Sequence, residues 1–168
     1  MSKSNCIVIL FLLLGACNTV DKKKEIEEQN KKTIEAYVDT IWNKKDLDSL
    51  EVFFSSKFIR KVNNIDLAVN YAEFTANINI LFTSFPDLQM NIEYIMAAAD
   101  KVFMNWTITA TNTGEFSDHP ATGKKVKVSG ITRLDLNEEG KIIYENIYYN
   151  ELSLMQQLGY TLSMPKIE

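Results

Sequence analysis

The hydrophobic period of this chain changes at Pro86, and that change limits the folds open to it. Before Pro86 the apolar residues recur at helical spacing; after it they alternate. Ile34, Tyr37, Val38, Ile41 and Trp42 lie on one face of a predicted helix, which Asn43-Lys44-Lys45 interrupts. Asp46 is placed to N-cap a second, short helix that buries Leu47, Leu50, Phe53 and Phe54. A third helix is predicted from near Asn70, because Asn70 and Glu73 have the spacing of a capping box. Tyr71, Phe74, Ile78, Leu81, Phe82 and Phe85 form its apolar face. Pro86 ends it, since proline cannot continue the hydrogen-bond ladder.

Four strands are predicted beyond that point, at 88–98, 102–115, 125–135 and 141–150, with turns at Asp100-Lys101 and at 137–140. A loop holding Asp118, His119 and Pro120 separates the second from the third, and a final helical turn is expected at 153–158. Helices followed by an antiparallel run of strands make an α+β fold.

Side chains alternate between the faces of a strand. On that basis Leu88, Met90, Ile92, Tyr94 and Met96 share a face, as do Met104, Trp106, Ile108, Ala110 and Asn112. Val126, Val128, Gly130, Thr132 and Leu134 form a third set, and Tyr144, Asn146, Tyr148 and Asn150 a fourth. These faces are apolar or aromatic with a few amides, and are assigned to the helix-covered side. An apolar hollow with a few convergent polar groups suits a small molecule. The candidate ligand-binding residues are Tyr94, Trp106, Asn112, Thr132, Tyr144, Asn146, Tyr148 and Asn150. The opposite face is expected to carry Ile95, Ile131, Ile143, Ile147 and Tyr149 among polar residues, a patch able to pair two subunits.

The N-terminus has a different character. Lys3 precedes an apolar run, Ile7 to Leu14, that is too short for a stable membrane span. Leu14-Gly15-Ala16-Cys17 resembles a bacterial lipobox, in which Cys17 is lipidated and becomes the mature N-terminus. The alternative is an ordinary secretory signal that ends near a cysteine. On the lipobox reading, residues 1–16 are a signal peptide and 17–32 a lipidated cysteine with a charged tether that can run into a helix. The domain then occupies 33–162 and a tail 163–168. The lipid chains would hold the protein at a bacterial envelope membrane, on its periplasmic or outer-membrane face. Cys6 and Cys17 are the only cysteines, so the mature domain has no disulfide, thiolate nucleophile or cysteine metal site. The net charge of −4 and the absence of a basic stripe argue against a nucleic-acid partner. No phosphate loop or metal-binding motif occurs, and no cofactor or metal is expected.

Three segments of the last third carry a resemblance. Thr113-Gly114-Glu115-Phe116, Pro120-Ala121-Thr122-Gly123-Lys124 and Gln156-Gln157-Leu158-Gly159 occur in this order. Together they resemble the SnoaL-like polyketide cyclases, or ester cyclases, of the nuclear transport factor 2-like superfamily. Trp42-Asn43 with Asp46-Leu47, and Phe85-Pro86-Asp87-Leu88, resemble the same family. The resemblance spans about residues 33 to 160. It implies a cone-shaped α+β barrel, in which N-terminal helices pack inside a strongly bent antiparallel sheet. It also implies an acid/base aspartate shortly before Gln157-Leu158-Gly159 and a histidine two residues before Gly114. Here those positions hold Asn150 and Asn112, and the tryptophan four residues before the aspartate is Asn146. An amide cannot accept a proton at neutral pH, although it can donate a hydrogen bond to an oxyanion. Three functions follow as expectations: a lipid-anchored binder of an apolar or amphipathic small molecule; a cyclase-like or isomerase-like enzyme with a non-standard site; or a homodimeric assembly module.

Overall fold

The computed structural model describes residues 22–164. The predicted signal peptide, Cys17 and the last four residues lie outside the described residues. Helix α1 covers 22–37 and continues as a π-helical turn, Val38–Asn43. The backbone N–H of Lys44 donates to Asp39 O, 2.9 Å, the five-residue step of that turn. The same step sets Trp42 beside Tyr37. The charged stretch 22–32, read as a tether, is thus the first part of α1. Glu27 accepts from the backbone N–H of Ala99 at 2.9 Å, and Asn30 donates to Ala99 O at 3.0 Å. A 3-10 turn, Leu47–Ser49, leads into the short α2, Leu50–Phe53. Asp46 does not cap this turn through a backbone N–H; its carboxylate accepts from the Ser49 hydroxyl at 2.7 Å.

Two strands follow that the apolar periodicity does not announce, β1, Phe54–Val62, and β2, Ile65–Ala68. Helix α3, Tyr71–Ser84, starts as expected: Asn70 accepts from Glu73 N at 2.9 Å, and Glu73 accepts from Val69 N at 2.9 Å. The remaining strands are β3, Gln89–Ala98, β4, Lys101–Thr111, β5, Lys125–Leu136, and β6, Ile142–Tyr149. Helix α4, Glu151–Leu158, closes the described chain.

The sheet order is β2-β1-β6-β5-β4-β3. All neighbours run antiparallel except β1 and β6, which pair in parallel. This six-stranded curved sheet wraps the helices, giving the α+β cone expected from the sequence. Ile34, Tyr37 and Ile41 of α1, Phe74 and Ile78 of α3, and Met104, Leu134 and Ile142 of the sheet meet in one core.

The register corrects the face assignments on two strands. Ile92 of β3 opposes Trp106 of β4, but Tyr94 opposes Asn105, so Glu93 is an extra residue. A bulge of this kind reverses the facing of everything after it. Ile95 and Ala97 therefore turn to the core, while Tyr94 and Met96 are exposed. On β6, Glu145, Ile147 and Tyr149 stand opposite Leu134, Thr132 and Gly130 of β5 and share their inward face. Tyr144, Asn146 and Tyr148 lie on the outer face. Of the five residues expected to form an outer patch, Ile131 and Ile143 are exposed, whereas Ile95, Ile147 and Tyr149 pack against the core.

Candidate functional site

A cavity of about 180 Å³ lies between the inner face of the sheet and the helices. Its wall is formed by Met90 of β3, Trp106, Ile108 and Ala110 of β4, Val126 and Val128 of β5, and Ile147 and Tyr149 of β6. Trp42, Ile78, Leu81 and Leu154 cover it from the helices, and Leu67 and Asn77 stand at its more exposed rim. Gly130 shapes this wall. A Cβ there would collide with the Trp106 indole and stand 2.6 Å from Tyr148 O, so its bare backbone lets the ring lie across β5. The indole N–H donates to Thr132 Oγ1 at 2.8 Å, which fixes the ring.

One charged side chain, Arg60 of β1, lines the cavity. Its side chain is 3% exposed, and its Nε donates to Glu145 Oε2 at 2.7 Å. Glu145 is fully buried and also accepts from the Tyr37 hydroxyl at 2.9 Å. Tyr37 in turn accepts from the Trp42 indole N–H at 2.9 Å. The guanidinium carbon sits 4.8 Å from the Phe74 ring centre and 5.8 Å from that of Trp42. Burial, reinforced by the Glu145 charge, holds the Tyr37 hydroxyl well above its ordinary pKa. Tyr37 therefore remains a donor, and the carboxylate of Glu145 is held between it and Arg60.

The expected site residues divide sharply. Trp106 lines the cavity, and Thr132 lies behind it as the indole's acceptor. Tyr94 is 59% exposed beyond the bulge. Tyr144, Asn146 and Tyr148 do come together, but on the outer face, where Asn146 Nδ2 donates to the Tyr144 hydroxyl at 3.1 Å and the Tyr148 hydroxyl at 2.7 Å. Asn112 is 1% exposed yet does not line the cavity. Its Oδ1 accepts from Thr122 N at 2.8 Å and Thr122 Oγ1 at 2.9 Å, and its Nδ2 donates to Gly114 O at 2.8 Å and Ser84 O at 3.3 Å. Asn150 is exposed and caps α4, accepting from Ser153 N at 2.9 Å. His119 lies exposed in its loop, with its ring centre 5.1 Å from that of Tyr160.

Arg60, Glu145, Tyr37, Ile147 and Tyr149 were not among the candidates. Glu145 also corrects the expectation that the inward faces carry no acid. Two separate signals point to it in hindsight: Glu145 is the one charged residue of β6, and Arg60 directly follows Phe58-Ile59.

The motif segments serve the framework. Thr113 N and Gly114 N donate to Ser84 O at 3.1 and 3.2 Å, fastening the β4–β5 loop to the end of α3. Pairing of β5 with β6 begins only at Gly130, and Gln157 covers the edge before it. It accepts from Lys127 N at 2.8 Å and donates to Lys127 O at 3.0 Å. Gly159 ends α4 with φ 103°, a conformation that favours glycine. For Asn150→Ala we expect a loss of about 1 kcal/mol from the missing cap. Urea unfolding measures that loss; a change in affinity for a cavity ligand larger than about fivefold, more than a cap effect of that size can carry, would place Asn150 in the site after all.

The model of the SnoaL-like polyketide cyclase family matches residues 32–158, more than half of the chain. No curated protein matches it. Among solved structures, AclR from Streptomyces galilaeus, a candidate hydroxylase, is 27% identical with a TM-score of 0.72, over 83% of this chain and 87% of that one. A candidate SnoaL-like polyketide cyclase from Jannaschia sp. CCS1 is 24% identical with a TM-score of 0.74, over 82% and 96%. An epoxide hydrolase of M. tuberculosis, similar to the LEH type, shares the fold at 11% identity and a TM-score of 0.62, over 79% and 90%. With its six-stranded curved sheet, its helices and its three motif segments, this chain belongs to the SnoaL-like polyketide cyclase family.

Proposed function

We propose that this chain is a lipid-anchored protein of a bacterial envelope membrane whose domain binds an apolar or amphipathic small molecule in its cavity. One observation carries the reading: apart from Arg60 and the rim residue Asn77 the wall is apolar or aromatic, while the amides at the two acid/base positions are engaged in framework hydrogen bonds. Neither Asn112 nor Asn150 has a group aimed into the cavity, so the proton transfer expected of the family has no agent at those positions. The anchor rests on Leu14-Gly15-Ala16-Cys17.

Native mass spectrometry of protein purified gently from cells tests the binding. The expected result is a reproducible added mass that leaves on unfolding and is missing from Ala110→Leu, which fills part of the cavity. An added mass that persists in Ala110→Leu would remove the cavity from the proposal. The anchor is tested by incorporation of labelled palmitate, which should vanish in Cys17→Ser.

Glu145 favours a second reading, an enzyme using a carboxylate of β6 beside Arg60. Its test is exchange of α-protons of a small ketone in deuterated water. This reading requires exchange by the wild type that Glu145→Gln abolishes.

A further inference from the structure

We infer that the cavity selects a small, uncharged carbonyl compound, of about one ring with a short substituent, and that Arg60 is the residue that selects it. The inference rests on the reading of the cavity as a binding site and adds the chemistry of its occupant.

Size sets the first limit. A cavity of ~150 Å³ lined by aliphatic and aromatic side chains is known to hold benzene. At about 180 Å³ the present one has room for a single ring carrying a few further atoms.

Polarity sets the second. Several polar groups on the wall are already engaged: Trp106 Nε1 by Thr132, Trp42 Nε1 by Tyr37, and Asn77 Nδ2 by Leu67 O at 2.9 Å. Among the described residues, Arg60 donates a hydrogen bond only through Nε, which leaves the Nη groups. The half-buried Tyr149 hydroxyl has no hydrogen bond among the described residues, but it can both donate and accept and so sets no preference. The groups left over on the wall that can only donate are therefore the Arg60 Nη groups, and they ask for an acceptor oxygen.

Charge sets the third. Glu145 already neutralises Arg60 within the same buried unit. A ligand carboxylate would add a net negative charge to a space that is otherwise apolar, and desolvating it is unfavourable without a second cation. Among the described residues Arg60 is the only charged one on the wall, and none of them supplies a second cation there. A ketone, ester or aldehyde oxygen takes the Nη hydrogen bond without that penalty. This arrangement discriminates against fatty acids and other carboxylates while accepting their neutral derivatives.

Three probes of similar size and shape separate these statements: acetophenone, benzoate and isopropylbenzene. Binding to the full chain is measured by titration calorimetry, with the carbonyl ¹³C shift of acetophenone as a second readout. The hydrogen bond from a charged donor is expected to favour acetophenone over isopropylbenzene by roughly tenfold. Its carbonyl signal should move downfield, and benzoate should bind weakest. The variant R60M/E145Q removes both charges and leaves Tyr37 an amide acceptor. In it the ketone preference and the carbonyl shift should disappear while isopropylbenzene still binds. Benzoate binding as tightly as acetophenone would overturn the inference, as would a ketone preference surviving in R60M/E145Q. Isopropylbenzene bound without any ketone preference overturns the role of Arg60 and leaves the cavity a binding site. Failure of all three probes overturns the binding reading itself.

Discussion

Glu145→Leu is expected to destabilise the domain by about 3–5 kcal/mol, the usual cost of removing one partner of a buried ion pair. The substitution leaves the Arg60 guanidinium without its carboxylate and the Tyr37 hydroxyl without its acceptor. Arg60→Met alone should lie in the same range, since it strands the Glu145 charge. The informative variant is again R60M/E145Q, in which no charge is left buried. Replacing both members of such a pair is often close to neutral, so the double variant should recover most of the loss. Urea denaturation of the wild type, Arg60→Met, Glu145→Gln and R60M/E145Q closes the double-mutant cycle. Losses under about 1 kcal/mol for both single variants, the range of exposed pairs, would mean that this pair is open to water in solution.

Asn112→Ala is expected to be the next most damaging change, at about 3 kcal/mol. The buried side chain supplies four hydrogen bonds to a loop that is itself mostly exposed, and its loss leaves the Gly114 carbonyl and the Thr122 N–H to find other partners. Because Asn112 also pairs through its backbone with Lys124 and Gly123, the 112–124 loop should loosen as a unit. Hydrogen exchange at Thr113, Gly114 and Thr122 reads that directly. Asn112→His restores the residue type implied at this position by the family. It should not restore activity, because the side chain is directed into the loop and not into the cavity.

The helices and the period-two segments were legible because each carries its own local evidence. Asn70 with Glu73 marks the start of α3, Pro86 its end, and the alternation in β4 and β5 assigns their faces correctly. Two failures on β1 and β6 share one cause. The segment Ile142-Ile143-Tyr144-Glu145-Asn146-Ile147-Tyr148-Tyr149 is apolar on both faces, and a glutamate ordinarily marks the wet one. Only Arg60, on a strand with few apolar residues of its own, makes a buried Glu145 acceptable. The facing of β6 therefore depends on a partner that local periodicity cannot see, and β1 escaped notice for the same reason. The error at Tyr94 has a different origin: one inserted residue, Glu93, reverses the alternation with no change in composition. The amides at positions 112 and 150 were identified from the motifs, but the motifs carry no information on where the side chains point. Asn150 ends as a helix cap because α4 begins directly after β6.

The parallel pairing of β1 with β6 also bears on how the molecule is made. Arg60 and Glu145 are separated by 85 positions, with the β3–β4 and β4–β5 pairs between them. Closing so long a loop is slow compared with forming the local β3–β4 and β4–β5 contacts. During synthesis Arg60 has no carboxylate to meet until β6 has left the ribosome, so the early chain carries an open, unfinished sheet edge at β5. A nascent or truncated chain ending before Ile142 would present that edge to chaperones, proteases and its own copies. The last strand thus acts as the completion step of the barrel, and quality control of this protein should turn on whether it arrives.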